Sequence, residues 1–258
     1  MPTLQRPGVD VHYDVIGAGP TVLITHGYSA TSHMWRDVAH ALAADHRVIT
    51  WDIRGHGRSG SPADPALYSR DLAVADMAAL LDAVGADDAV LIGHSLGGYL
   101  SLAFHVEHAE RVRALVLVGT GPGYRNAEAR AGWNRHAEGR AKFFERNGLD
   151  GLDGPEAHGG EHRSASGLAL AARGILAQHD GAVMDELPRI QVPVLVMVGD
   201  ADTPFLGASE YMVKRMANAT LAVIPGAGHM TNLDQPEAFQ TALSGFLASR
   251  LGKPPSAE

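Results

Sequence analysis

The run Ala89-Val90-Leu91-Ile92-Gly93-His94-Ser95-Leu96-Gly97-Gly98 constrains this chain most: an unbroken apolar strand ends in Gly-x-Ser-x-Gly and passes straight into a helix-like segment, Tyr99 to His108. Apolar residues on consecutive strand positions imply cover on both faces. A serine held between a strand end and a helix start sits on a turn too tight for side chains on its near neighbours, which accounts for Gly93 and Gly97 flanking it. The amides that follow belong to a helix N-terminus. They lack intrahelical acceptors and can stabilise an anion, such as the one formed when a hydroxyl attacks a carbonyl. Ser95 is therefore the candidate nucleophile.

The same pattern recurs along the chain. Val9 to Val15 alternates in period two, Gly17-Ala18-Gly19-Pro20 turns, and Thr21 to Thr25 reads as a buried strand, so an edge hairpin is expected to open the fold. Further apolar strands at Val48–Trp51, Ala89–Ile92, Val112–Val118, Val194–Val198 and Leu221–Ile224 alternate with helix-period stretches at Ser32–Ala44, Ser69–Val84, Leu96–His108, Gly207–Met216 and Pro236–Leu251. This is the signature of a parallel sheet covered on both faces. The 258 residues suffice for one large α/β core carrying one insertion.

That insertion is expected at 121–187, between core segments 1–120 and 188–251. It reads as a helix over Asn126–Arg146, a Gly-, His- and acid-rich stretch over Asn147–Gly167 and a second helix over Leu168–His179. Following a strand's carboxyl end, it would hang over the sheet edge as a helical lid, with Asn147–Gly167 as a mobile gate. Trp133, Ala137, Ala141 and Phe144 recur at near-helical spacing and mark the face that packs down, whether onto the body or over a ligand. The tail 252–258, with two prolines, is expected to fray.

Composition narrows the partners. A net charge of −8 and a pI near 5.9 argue against nucleic acid and anionic membrane surfaces, both of which need a basic face. No apolar run is long enough for a membrane span, the N-terminus has no apolar signal core, and there is no cysteine. These features fit a cytoplasmic enzyme without thiol or thiolate-metal chemistry. The oligomeric state is not readable.

A serine hydroxyl needs a base, and the base needs an acid to fix its tautomer. Two carboxylates, Asp200 and Asp202, lie in the turn after the strand Val194–Val198, and His229 follows Pro225-Gly226-Ala227-Gly228 at the end of a later strand. The chain order Ser, Asp, His is that of an α/β-hydrolase.

Together with His26-Gly27-Tyr28, Asp52-Ile53-Arg54-Gly55-His56-Gly57-Arg58-Ser59, Gly199-Asp200-Ala201-Asp202, and Gly228-His229 followed by Asn232-Leu233-Asp234-Gln235-Pro236-Glu237, these motifs give a chain that resembles the α/β-hydrolase superfamily. The branch it is similar to is that of soluble esterases and lactonases, which includes enol-lactone hydrolases and C–C bond hydrolases. The resemblance covers nearly all of the chain outside the insertion. It implies an α/β-hydrolase fold with a mostly parallel sheet of about eight strands, helices on both faces and a small helical lid. It also implies Asp202 as the triad acid with Asp200 capping the turn, an oxyanion hole from the Tyr28 and Leu96 amides, no cofactor, and a small ester or lactone as substrate. His26, Trp133, Phe144, Phe205 and Met230 are the expected pocket residues.

Other signals are weaker. Gly55-His56-Gly57-Arg58-Ser59-Gly60 matches a dinucleotide fingerprint, but Ser61-Pro62-Ala63-Asp64-Pro65 cannot start the helix such a site requires. His158-Gly159-Gly160-Glu161-His162 lacks a rigid third metal ligand. His26 and His94 read as loop-shaping histidines, and Asp52 and Arg54 as braces. Ser95 at the elbow argues against epoxide hydrolases and haloalkane dehalogenases, which carry a carboxylate there. A C–C hydrolase would need lid cations, for which Arg125, Arg130, Arg135 and Arg140 are candidates. A slow-turnover, receptor-like binding protein is the alternative outside catalysis.

Overall fold

Apolar residues on successive strand positions need cover on two faces, and the helices between the strands supply it. The computed structural model describes residues 2–152 and 161–251. Its strands are β1 (Thr3–Arg6), β2 (Val9–Ile16), β3 (Thr21–Thr25), β4 (Arg47–Trp51), β5 (Ala89–His94), β6 (Val112–Val118), β7 (Val194–Gly199) and β8 (Ala219–Ile224). They form one sheet in the order β1-β2-β4-β3-β5-β6-β7-β8. From β4 through β8 every pairing is parallel, while β1 and β2 join antiparallel at one edge.

The helices are α1 (Arg36–Leu42), α2 (Arg70–Ala83), α3 (Leu96–Glu107), α4 (Ala127–Asn147), α5 (Ala165–Ala171), α6 (Ala182–Glu186), α7 (Thr203–Arg215), α8 (Thr231–Asp234) and α9 (Pro236–Leu251). Period-two alternation divides each central strand between two cores. Leu91 of β5 packs with Met77 and Leu80 of α2 and Leu100 and Phe104 of α3. Its neighbours Val90 and Ile92 point the other way, to Val38 and Leu42 of α1 and Phe239 and Leu243 of α9. A third, smaller cluster, in which Ala141 and Phe144 of α4 meet Leu168 and Ala169 of α5, gives the segment between β6 and β7 a core of its own. No helix among the described residues is long and apolar enough to cross a membrane.

Several expectations are corrected. β2 does not form a hairpin with β3: β4 lies between them, paired antiparallel to β2 and parallel to β3. The opening hairpin is instead β1 with β2, and β1 is a half-polar edge strand whose Thr-Leu-Gln-Arg carries no apolar run. The second helix of the insertion ends early. α5 passes into one π-helical turn over Ala172–Leu176, after which Ala177 is extended. α7 begins at Thr203, directly after Asp202, with Pro204 in its first turn, where a missing amide costs nothing. The stretch 153–160, the middle of the expected gate, and the tail 252–258 lie outside the described residues.

The loop after β4 is braced from beneath by a buried ion pair. Arg54 Nε and Nη2 donate to both oxygens of Asp76 on α2 at 2.8 Å, and Arg54 Nη1 donates to the Leu67 carbonyl at 2.6 Å. The two side chains are 1% and 0% exposed, so each charge depends on the other for its solvation. Asp76→Ala is expected to cost about 3–5 kcal/mol by strandedness of the guanidinium, read as a lowered urea midpoint. Arg6→Ala, which removes the partly exposed second partner of the same carboxylate, should cost about 1 kcal/mol or less. Equal losses would show that Arg54 is not the brace.

Candidate active site

The loops that carry the predicted residues all leave carboxyl ends of parallel strands and therefore meet on one edge of the sheet. Ser95, between β5 and α3, has φ 51° and ψ −114°, a conformation that side-chain-bearing residues rarely adopt. Packing leaves it no alternative. A Cβ on Gly93 would lie 2.2 Å from the Gly97 carbonyl oxygen, and one on Gly97 would lie 2.3 Å from that of Thr25. The Ser95 amide donates to the Val118 carbonyl at 2.8 Å, and Thr120 Oγ1 donates to the Ser95 carbonyl at 2.6 Å.

His229 arrives from the turn after β8 and Asp202 from the turn after β7. His229 Nδ1 lies 2.8 Å from Asp202 Oδ2. A carboxylate only accepts, so Nδ1 carries the proton and Nε2 keeps a free lone pair. Asp200 serves otherwise: its Oδ1 accepts from the Gly226 amide at 2.9 Å. Asp234 Oδ2 accepts from the Gly228 amide at 2.8 Å, so carboxylates hold the turn before His229 from both sides. Phe205 stacks on the His229 ring with centroids 4.9 Å apart. The amides of Tyr28 and Leu96 donate to no protein acceptor among the described residues. Gly27 sits so close that a Cβ there would be 3.2 Å from Ser95 Cβ.

Ser95 and Leu96 open on a cavity of about 90 Å³ whose walls include Tyr99, Trp133, Leu176, Gln178 and Phe205. Of the predicted pocket residues, Trp133 and Phe205 line it. His26, Phe144 and Met230 do not: His26 and Phe144 are fully buried, Phe144 in the small core of the insertion and Met230 in the core under α9. The Tyr28 ring is packed against His56 and Phe144, and its hydroxyl donates to the Leu168 carbonyl at 2.9 Å. Thr120 and Gln178 were not anticipated. Thr120 lies two residues beyond the end of β6, a position that a strand-end search could have flagged, whereas nothing local marks Gln178. The described lining contains no Lys, Arg or His. Arg125 instead pairs with Asp185, Arg130 donates to the Tyr124 carbonyl, and Arg140 lies over the Phe143 and Phe144 rings. A larger open depression of about 560 Å³ near Asp14, Arg36 and Arg58 is lined by none of these catalytic candidates. Among the described residues no group of three His, Asp or Glu side chains could hold a metal ion.

The histidines behind the site are buried and neutral. His26 Nδ1 donates to the Gly27 carbonyl at 2.7 Å while Nε2 accepts from the Ile53 amide at 2.9 Å, so one neutral tautomer satisfies both bonds. His162 does the same in reverse, accepting from Gly57 and donating to Ser29. His94 Nε2 donates to the His229 carbonyl at 3.0 Å and so holds the backbone of that turn. Burial lowers His26 to about 4 and pushes His56 and His94 well below the ordinary histidine range. Asp52, which burial alone would raise, is held at about 2 by the neighbouring His26 and by the Arg58 and Ser32 amides.

These depressed values imply a stability that falls on acidification. Above pH 6.5 His26 is neutral whether the chain is folded or not. Below that, the unfolded chain takes up a proton that the folded one refuses until about pH 4. The loss from His26 alone should reach about 3 kcal/mol between those limits, measured by denaturant unfolding across the range. His26→Gln, which can still accept from Ile53, should remove that part of the slope. A stability that stays flat down to pH 4.5 would refute the neutral assignment.

A model of the alpha/beta hydrolase family matches residues 22–242. The 3-oxoadipate enol-lactonase 2 of Acinetobacter baylyi is 27% identical over 95% of this chain and 96% of its own length. Among solved structures, a thermophilic esterase from Thermogutta terrifontis, in malate-bound form, is 27% identical with a TM-score of 0.78, covering 96% of each chain. An epoxide hydrolase of Caballeronia sordidicola is 45% identical, but only over 35% of this chain and 28% of that protein. A family match that runs from β3 into α9, over a sheet strung in this order, means that the chain belongs to the alpha/beta hydrolase family.

Proposed function

We propose that this protein is a serine hydrolase of small carboxylic esters or lactones that works through an acyl-enzyme on Ser95. The observation that carries the reading is the forced turn at Ser95, with the Leu96 amide at the start of α3, on the same sheet edge as a histidine whose Nδ1 is pinned by Asp202. His229 Nε2 takes the Ser95 proton as Oγ attacks the substrate carbonyl. The Tyr28 and Leu96 amides stabilise the oxyanion, His229 returns the proton to the departing alkoxide, and water then releases the acid by the same steps. Asp202 keeps His229 in one tautomer and offsets the charge of the imidazolium. Each cycle consumes one water and needs no cofactor.

The insertion acts as the lid of this site, since Trp133, Leu176 and Gln178 of that segment form one wall. The small cavity, whose described lining holds no cation, favours short, neutral acyl groups. A carboxylate buried there would lack a partner, at a cost that burial of an unpaired charge makes prohibitive. This separates the protein from an oxoadipate-type substrate and from the C–C hydrolase reading, because none of the four arginines that reading requires is in the described lining of the cavity. Sustained turnover would likewise argue against a receptor-like role.

Turnover of p-nitrophenyl acetate through octanoate is expected to decline with chain length. Ser95→Ala should lower kcat by at least about 10⁴-fold and Asp202→Asn by about 10³–10⁴-fold, with far smaller changes in KM. Undiminished turnover in Ser95→Ala would overturn the assignment. A Ser95-dependent rate that rises with added carboxylate on the acyl chain would overturn the neutral-substrate part alone.

A further inference from the structure

Gln178 is 7% exposed, lies on the wall of the Ser95 cavity and has a side-chain Oε1 that is buried without a hydrogen-bond partner. Buried amides are almost always satisfied, so an orphan one next to a reactive centre calls for a reason. The backbone here leaves nothing to chance. The Gln178 amide donates to Asn134 Oδ1 and its carbonyl accepts from Asn134 Nδ2, both at 2.8 Å. Trp133 Nε1 donates to the Leu176 carbonyl at 2.8 Å on one side, and Asp180 is gripped by Arg70 on the other. The amide head abuts Gly123, another lining residue, where a Cβ would stand 2.7 Å from Oε1. A clamped backbone thus presents an unpaired side-chain amide beside Ser95, in a cavity whose other walls are largely apolar.

We propose that Gln178 is a specificity-determining residue that binds a neutral oxygen substituent, a hydroxyl above all, on the acyl part of the substrate. The proposal rests on the serine-hydrolase reading and adds the substrate's chemistry to it. A hydroxyl both donates and accepts, so it can pair with the amide whichever way its oxygen and nitrogen are turned. An alkyl group in its place leaves the amide unpaired, and a site built around a polar partner discriminates strongly against the analogue that lacks one. The amide carries no charge, which agrees with the absence of cations from the described lining.

The test uses p-nitrophenyl esters in matched pairs, whose bulky leaving group cannot enter so small a cavity and therefore directs the acyl chain into it. The pairs are 2-hydroxybutyrate with 2-methylbutyrate and 3-hydroxybutyrate with 3-methylbutyrate. For at least one pair, wild-type kcat/KM should favour the hydroxy ester by on the order of tenfold to a hundredfold. Gln178→Met, of similar size, should bring that ratio close to unity, with a melting temperature no lower than wild type because an unsatisfied buried amide has been removed. No preference in any pair, or a preference that survives in Gln178→Met, overturns the proposal while leaving the hydrolase reading intact. A marked fall in melting temperature would make the amide a structural partner and overturn it as well. Absence of Ser95-dependent turnover on every ester would overturn the hydrolase reading and this proposal with it.

Discussion

Everything at this site depends on one strained residue. A non-glycine residue held at φ 51° and ψ −114° costs about 1–3 kcal/mol, and it persists only where its surroundings permit nothing else. Here three parallel strands enforce it. β3 presses on Gly97 through the Thr25 carbonyl, β5 leads into the turn through Gly93, and β6 holds the Ser95 amide through Val118. Those strands are buried on both faces, so the strain is borne by the most cooperative part of the fold. The result is geometric: the turn sets Ser95 at the head of α3, where the Leu96 amide has no intrahelical acceptor.

The electrostatics around that turn follow from a contrast between histidines. His26 and His162 each occupy a single neutral tautomer that satisfies both ring nitrogens with backbone groups, and His94 spends its proton on the His229 carbonyl. They are scaffolding in which imidazole serves as a rigid amide substitute, and burial keeps them uncharged. His229 differs because its Nδ1 faces a carboxylate and its side chain is 27% exposed. Only this ring of the four combines a fixed tautomer, a counter-charge and access to solvent.

Much of this was legible because two periodicities are cheap to read. The doubly buried strands announce themselves as apolar runs, and the Gly-x-Ser-x-Gly turn marks the point where strand yields to helix. The residue pattern left Asp200 and Asp202 both open as the acid. The two lie in one turn, and only the backbone path shows that Asp202 reaches His229 while Asp200 returns to Gly226. The hairpin expected from β2 and β3 failed for a related reason. Neighbours in sequence need not be neighbours in a sheet when a crossover through α1 can slot β4 between them. His26 and Met230, both expected in the pocket, adjoin functional positions along the chain, but such adjacency says nothing of which way a side chain turns.

The cavity wall was the least legible part, and its chemistry lies where periodicity breaks. A helix continued to His179 would have placed Gln178 on its surface with its backbone bonded to the preceding turn. Instead the π-helical turn ends at Leu176, where Gly174 packs against the backbone of Tyr68 so tightly that a Cβ would lie 2.0 Å from its carbonyl oxygen. Released from the helix, the Gln178 backbone finds its partners across the segment, on Asn134 of α4. That exchange of local for distant hydrogen bonds is invisible to any short window of sequence. It is also what allows the insertion to present a polar group to the site from a rigid position. In a fold whose sheet is dictated by regular burial, selectivity is written in the few places where the regularity stops.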